Sequence, residues 1–95
     1  MDVNTLSPLN RDMLIEAMLA GQLVNALYRN GERLEGGFSR ERRCFALGER
    51  GWLDFVGWEG ARAAGAELRA RWALTAEALR ALSLSGWRSA SATSG

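Results

Sequence analysis

The chain has 95 residues and a net charge of +1, so it is one domain's length and produces no strong overall field that would attract a polyanion. Its hydrophobic fraction of 47% is typical of a globular domain, and no apolar run approaches the ~20 residues that a membrane span needs. The single cysteine and the lack of a basic-then-apolar leader predict a cytoplasmic protein without an internal disulfide. We expect one compact domain over residues 1–86 and a flexible tail over residues 87–95.

The residue types that most catalytic and metal sites use are scarce in this sequence. It contains no histidine, the usual proton carrier at neutral pH, and Cys44 therefore has no histidine to activate it. Cys44 is expected to be a small buried hydrophobic residue. Common metal sites need several Cys or His at short spacing, and the glycines form no phosphate-binding pattern. The sequence therefore predicts a binding protein with no enzymatic activity, metal or cofactor.

The first predicted element is a helix over residues 8–20. Ser7 is placed to cap this helix, Pro8 occupies its first position, and a glycine follows its last residue. Its broad apolar face contains Leu9, Met13, Leu14, Ala17 and Met18. Ile15 and Leu19 lie on the opposite side, where a surface helix should be polar. Either another element covers these two residues or they form an exposed contact patch.

A β-hairpin is predicted over residues 23–35, because Asn30-Gly31 is the strongest two-residue signal for a type I′ turn. This turn fixes the register of the two strands. The opposed pairs are Arg29 with Glu32, Tyr28 with Arg33, and Leu27 with Leu34. Leu23, Asn25 and Leu27 then point to one face of the hairpin, since side chains alternate along a strand.

A second helix is predicted over residues 40–50, after a break at Gly36-Gly37, with Ser39 as its cap. Cys44, Leu47 and Gly48 share one face of this helix. The other face contains Arg42, Arg43 and Arg50, which we call the arginine face. Arginines early in a helix oppose its macrodipole, so local helix stability does not explain them. The arginine face is either a solvated surface or a binding surface.

Alternating residues over 52–58 predict a strand, which a glycine-rich loop connects to residues 66–74. Two interpretations fit 66–74. As a strand, it points Arg69 and Arg71 outward between inward apolar residues; as a helix, its apolar residues follow a 4-3-4-3 spacing. We favour the strand, because Thr75 is then placed to cap a last helix, which we expect to end at Gly86.

Two short motifs, Arg50-Gly51-Trp52-Leu53 and Trp72-Ala73-Leu74-Thr75, resemble those of winged-helix domains. In that family a recognition helix ends in an arginine-glycine-apolar step, and the strand after a flexible wing ends in aromatic-x-Leu-Thr. The resemblance covers roughly residues 39–82. It implies an α+β fold in the order helix, hairpin, helix, strand, wing, strand, helix. The hairpin departs from the family pattern, which has a supporting helix at that place.

The winged-helix resemblance also implies how the protein would bind duplex nucleic acid. The helix over residues 40–50 would enter the major groove, where Ser39, Arg42 and Arg43 would reach bases or phosphates. The wing would contact the backbone through Arg62, Arg69 and Arg71. Duplex nucleic acid is therefore the first predicted partner.

The alternative function is inhibition of a host complex. Small, lysine-free, tryptophan-rich domains without catalytic groups are similar in size and style to phage- or prophage-encoded proteins, including anti-CRISPR inhibitors. Such proteins act by contact with a host nucleic-acid-processing complex. The near-neutral charge and the Ile15 and Leu19 patch favour this function. A homodimer that pairs the same patch with itself is a third possibility.

Overall fold

The computed structural model describes residues 1–84 as three helices and a four-stranded antiparallel sheet. A 3₁₀ turn over Val3–Thr5 precedes the main elements, which follow in this order: α1 Pro8–Ala20, β1 Leu23–Arg29, β2 Glu32–Arg33, α2 Glu35–Glu49, β3 Leu53–Gly60, β4 Glu67–Leu74 and α3 Ala76–Leu84. The α+β class and the predicted order of elements are confirmed. The predicted helix end at Gly86 and the tail over 87–95 lie outside the described residues.

Helices α1 and α2 pack on one face of the sheet, whose strand order is β2-β1-β4-β3, and α3 contributes to the core on that side. Their buried side chains share one core with Leu23, Leu53 and Trp72 of the strands. Val24 points to the other face, and 44% of its surface is exposed. The fold therefore has a helix-covered face and an open face, and side-chain alternation decides on which face each strand residue lies.

Helix α1 begins and ends where the local signals place it. The Ser7 hydroxyl accepts a hydrogen bond from the Asn10 backbone N–H (3.2 Å), and Gly21 follows the helix at a φ of 88°. Met13, Leu14 and Ala17 are buried as predicted. Leu9 is exposed, so its assignment to the core face is wrong.

The hairpin has the predicted turn and register. Asn30 and Gly31 have φ of 53° and 79°, as a type I′ turn requires, and Tyr28 lies opposite Arg33 and Arg29 opposite Glu32. Strand β2 is only two residues long. Arg29 forms its ion pair with Glu67 of β4 (2.9 Å), across the central pair of strands.

Helix α2 begins at Glu35, so the predicted start at residue 40 and the cap at Ser39 are wrong. Gly36 and Gly37 lie in the first turn of the helix. A Cβ built on Gly37 would collide with the carbonyl oxygen of Ala26 in β1, whereas one on Gly36 would meet nothing within 4 Å. The glycine pair therefore does not break the helix. Gly37 lets its first turn pack directly on a strand.

Residues 67–74 form strand β4, which confirms the strand interpretation. Ala70 and Trp72 are buried while Arg69 and Arg71 point to the open face. Thr75 caps α3, because its hydroxyl accepts a hydrogen bond from the Ala78 backbone N–H (3.0 Å).

Strand β3 contains a bulge that the simple alternation over residues 52–58 misses. Phe55 pairs with Trp72 and Trp58 pairs with Ala70, so the extra residue at Val56 shifts the register between them. Phe55 and Trp58 consequently share the helix-covered face, although strict alternation places them on opposite faces.

A buried polar network fixes α2 to the two central strands. The Glu41 Oε1 atom accepts hydrogen bonds from Asn25 Nδ2 and Trp72 Nε1, both at 2.8 Å. Arg40 Nε donates to Asn25 Oδ1 at 3.0 Å. The side-chain amide of Asn25 therefore binds the Arg40 cation through its oxygen and the Glu41 anion through its nitrogen. Cys44 is buried beside the network, as predicted, and burial raises the pKa of its thiol, which makes it a poor nucleophile.

Candidate nucleic-acid interface

The outer face of α2 presents two parallel rows of side chains. Residues three or four apart in a helix lie above one another, so each row follows a spacing of four, three and four. The inner row contains Phe38, Arg42, Phe45 and Glu49; the outer row contains Ser39, Arg43, Ala46 and Arg50. The Phe45 ring contacts the Trp72 ring, so the inner row borders the sheet. Arg50 Nη2 donates to the hydroxyl of Thr5 (3.0 Å), so the outer row borders the N-terminal segment.

The three guanidinium groups of the arginine face are free of ion pairs within residues 1–84. Arg42 donates to the Ser39 hydroxyl (3.3 Å) and Arg50 to the Thr5 hydroxyl, both neutral acceptors. Arg42 and Arg50 are exposed, and the half-buried Arg43 lines a cleft of about 300 Å³ between α1 and α2. The positive charge of this surface is therefore not compensated by a bonded carboxylate.

The two arginines of β4, in contrast, form ion pairs with carboxylates. Arg71 Nη1 lies 2.8 Å from Glu59, and Arg69 lies 3.6 Å from Glu59 and 3.5 Å from Glu67. Both side chains lie on the open face of the sheet, away from α2. The structure thus does not bring Arg69 and Arg71 together with the arginine face, because they alternate with buried residues on which the helices pack.

Arg62 is the one predicted wing residue that lies beside the helix-covered face. It belongs to the loop between β3 and β4, and its guanidinium group stacks 4.3 Å above the ring centre of Tyr28. The Tyr28 ring meets Phe38 edge-to-face at 5.6 Å, and Arg33 stacks 3.7 Å above Phe38. This end of α2 is therefore an arginine–aromatic surface.

Sequence reasoning missed a group of exposed aromatic rings beside the inner row of α2. Phe45, Phe55 and Trp58 are 54%, 43% and 58% exposed, and we call them the aromatic cluster. Phe45 and Phe55 each contact the buried Trp72 ring at 5.2 Å between ring centres, and Phe55 contacts Trp58 at the same distance. The four tryptophans of the sequence indicated that a core or an interface rich in aromatic rings exists. Which rings share a face could not be predicted, because the bulge at Val56 breaks the alternation of side chains along β3.

The proposed patch on α1 is separate from these surfaces. Leu19 is 66% exposed and Ile15 is half-buried, so no other part of residues 1–84 covers Leu19. Of the two alternatives for this side of the helix, exposure holds for Leu19.

Residues 1–84 contain no helix long and apolar enough to cross a bilayer, and no group of three or more Cys, Asp or Glu residues placed to hold a metal ion. The chain matches no known family model, no curated protein and no solved structure. Its fold is that of a small α+β domain whose unpaired arginines and exposed aromatic rings lie on the helix-bearing side.

Proposed function

We propose that the protein binds nucleic acid through α2. The main support is the way the arginines divide between the two sides of the sheet. Arg69 and Arg71 on the open face are neutralised by carboxylates, whereas Arg42, Arg43 and Arg50 are not. In a chain of net charge +1, the outer face of α2 thus places three arginines without an ion pair in the described residues next to one another.

The chemistry of this helix suits phosphate oxygens. Guanidinium groups present several N–H donors in a plane and form charge-assisted hydrogen bonds with phosphate. Arg42 to Arg50 spans eight residues, or about 12 Å of helix at 1.5 Å per residue, which is the reach of about three successive phosphates of one strand. Glu49 lies in the same region, but one carboxylate against three arginines leaves the face net positive.

The arrangement of elements supports a winged-helix-like mode of contact. In this mode α2 would take the place of the recognition helix, and the β3–β4 loop with Arg62 would take the place of the wing. Arg62 lies beside the same side of the sheet as α2, since it stacks on Tyr28. Both elements would then contact one bound chain.

The test compares two double variants, each of which removes two positive charges from one side of the sheet. We expect R42Q/R43Q to weaken binding of a labelled oligonucleotide by about 10- to 100-fold at low salt, because two charge-assisted contacts are lost. The slope of log affinity against log salt should fall by about one to two, in proportion to the phosphate contacts removed. Fluorescence anisotropy at several salt concentrations measures both quantities.

The matched control is R69Q/R71Q, which removes the same charge from the open face. We expect it to leave the affinity within about twofold, since these guanidinium groups are already paired. Equal losses in both variants would show that only net charge matters. Absence of binding to single-stranded and duplex probes even at low salt would refute the proposed function.

A second function, contact with a protein partner, is favoured by the exposed Leu19. An inhibitor of a host nucleic-acid-processing complex would need such an apolar surface. We expect immobilised protein to retain a stoichiometric partner from a host lysate, and Leu19→Glu to lose it while R42Q/R43Q keeps it. Loss in R42Q/R43Q alone, or retention in Leu19→Glu, would contradict a role for the α1 patch.

A further inference from the structure

We infer that the preferred ligand of this surface is a single-stranded nucleic acid whose bases stack on the aromatic cluster. This inference rests on the proposed function and adds the form of the ligand. Phe45, Phe55 and Trp58 expose between 43% and 58% of their surface, and Phe45 lies one helical turn from Arg42, which has no ion pair within residues 1–84. Aromatic rings next to a positively charged surface are the combination with which proteins hold unpaired bases.

The aromatic cluster is held in place by the core. Trp72 is 3% exposed, and its indole N–H is fixed by the Glu41 carboxylate at 2.8 Å. Phe45 from α2 and Phe55 from β3 both rest edge-to-face on this ring, and Trp58 rests on Phe55. The exposed rings are therefore pre-positioned, so little side-chain entropy is lost when a base stacks on them.

Cationic groups accompany the rings along α2. Arg42 lies between Phe38 and Phe45 in the inner row, one turn from each. At the start of the helix, Arg62 stacks on Tyr28, and Arg33 stacks on Phe38 while it is also ion-paired with Glu35 (2.6 Å). Phosphates and bases alternate along a nucleic-acid strand, and in the inner row Arg42 likewise lies between the rings of Phe38 and Phe45.

A duplex would use only part of this surface. Its base faces are stacked inside the helix, so it offers phosphates to the arginines and base edges in its grooves, but no ring face to Phe45 or Trp58. An unpaired strand offers phosphates to the arginines and base faces to the aromatic rings. Burial of large apolar rings by stacking also explains why they are exposed in the free protein.

The experiment compares probes on the full chain by fluorescence anisotropy: labelled oligothymidylate, oligouridylate and a hairpin duplex with the same number of phosphates. We expect both single strands to bind at least about tenfold more tightly than the duplex. Phe45→Ala and Trp58→Ala should each weaken single-strand binding by roughly 5- to 100-fold. Duplex affinity should change less than twofold. Oligodeoxyuridylate, which differs from oligouridylate only in lacking the 2′-hydroxyl, then shows whether DNA or RNA is the preferred ligand.

Two controls separate stacking from loss of folding. Val24→Ala removes an exposed apolar side chain from the open face and should leave every affinity unchanged. Trp58→Phe should keep single-strand affinity within a few fold while it removes the quenching of tryptophan fluorescence that stacking on Trp58 causes. Thermal unfolding of each variant checks that the fold is retained.

The outcomes distinguish this inference from the proposed function. If R42Q/R43Q weakens binding but Phe45→Ala and Trp58→Ala do not, or if the duplex binds as well as the single strands, the protein binds nucleic acid without stacking and the inference fails. If no probe binds, both fail. In that case, retention of a protein partner that Trp58→Ala loses would assign the cluster to a protein contact.

Discussion

Gly37→Ala is expected to destabilise the protein by about 2–4 kcal/mol, although it replaces glycine in a helix with the best helix former. The added methyl group would overlap the carbonyl oxygen of Ala26, a backbone atom that no side-chain rotation can move away. The first turn of α2 would have to separate from β1. Urea unfolding followed by circular dichroism measures the loss.

Gly36→Ala is the matched control for this substitution. It makes the same chemical change one residue earlier, where nothing lies within 4 Å of the new Cβ. We expect a neutral effect or a gain of up to about 1 kcal/mol from helix propensity. Equal stability of the two variants would contradict the close contact between α2 and β1.

Glu41→Ala is expected to cost about 2–5 kcal/mol of unfolding free energy. The substitution leaves Asn25 Nδ2 and Trp72 Nε1 without their acceptor in the core, and each unsatisfied buried donor costs about 1–3 kcal/mol. It also removes the anion that faces Arg40 across the Asn25 amide. Chemical denaturation monitored by tryptophan fluorescence measures the change.

Glu41→Gln separates hydrogen bonding from charge in the same network. Its amide oxygen can still accept from both donors, while its NH₂ group would replace the buried Glu41 Oε2, which has no hydrogen-bond partner; we therefore expect a smaller loss of about 1–2 kcal/mol. Losses of the same size in both variants would show that the negative charge, rather than the acceptor position, stabilises this site. Binding of oligonucleotides by Glu41→Gln should remain close to that of the unaltered protein.

The elements that the sequence predicts well are those with local causes. Ser7 and Pro8 set the start of α1 through capping and a fixed φ, and the Asn30-Gly31 turn sets the hairpin register. In these places a few neighbouring residues determine the conformation. The order of elements followed from such signals, together with the alternation of Arg69 and Arg71 with apolar residues in β4.

Other features depend on tertiary contacts that a linear pattern does not contain. The early start of α2 follows from the approach of Gly37 to Ala26, a strand residue eleven positions earlier in the sequence. The bulge at Val56 moves Trp58 to the face of Phe55, and only the pairing with β4 shows it.

In the candidate site, too, the features with local causes could be predicted and those that depend on tertiary contacts could not. That Arg42, Arg43 and Arg50 lie together on one face of a helix could be predicted from their spacing. That Arg69 and Arg71 lie on the other side of the molecule could not, because this depends on which face of the sheet the helices cover. The role of Glu41 was also invisible, since its partners come from two distant strands.

The antiparallel pairing of β1 with β4 at the centre of the sheet has a consequence for how the chain folds. Leu23 lies opposite Trp72 and Arg29 opposite Glu67, so the middle of the sheet joins residues that lie 38 to 49 positions apart in sequence. During synthesis β1 therefore cannot pair with β4 until residues 67–74 have emerged from the ribosome. We expect late, all-or-none folding dominated by these distant pairings, and no stable intermediate made of the N-terminal helix and hairpin alone.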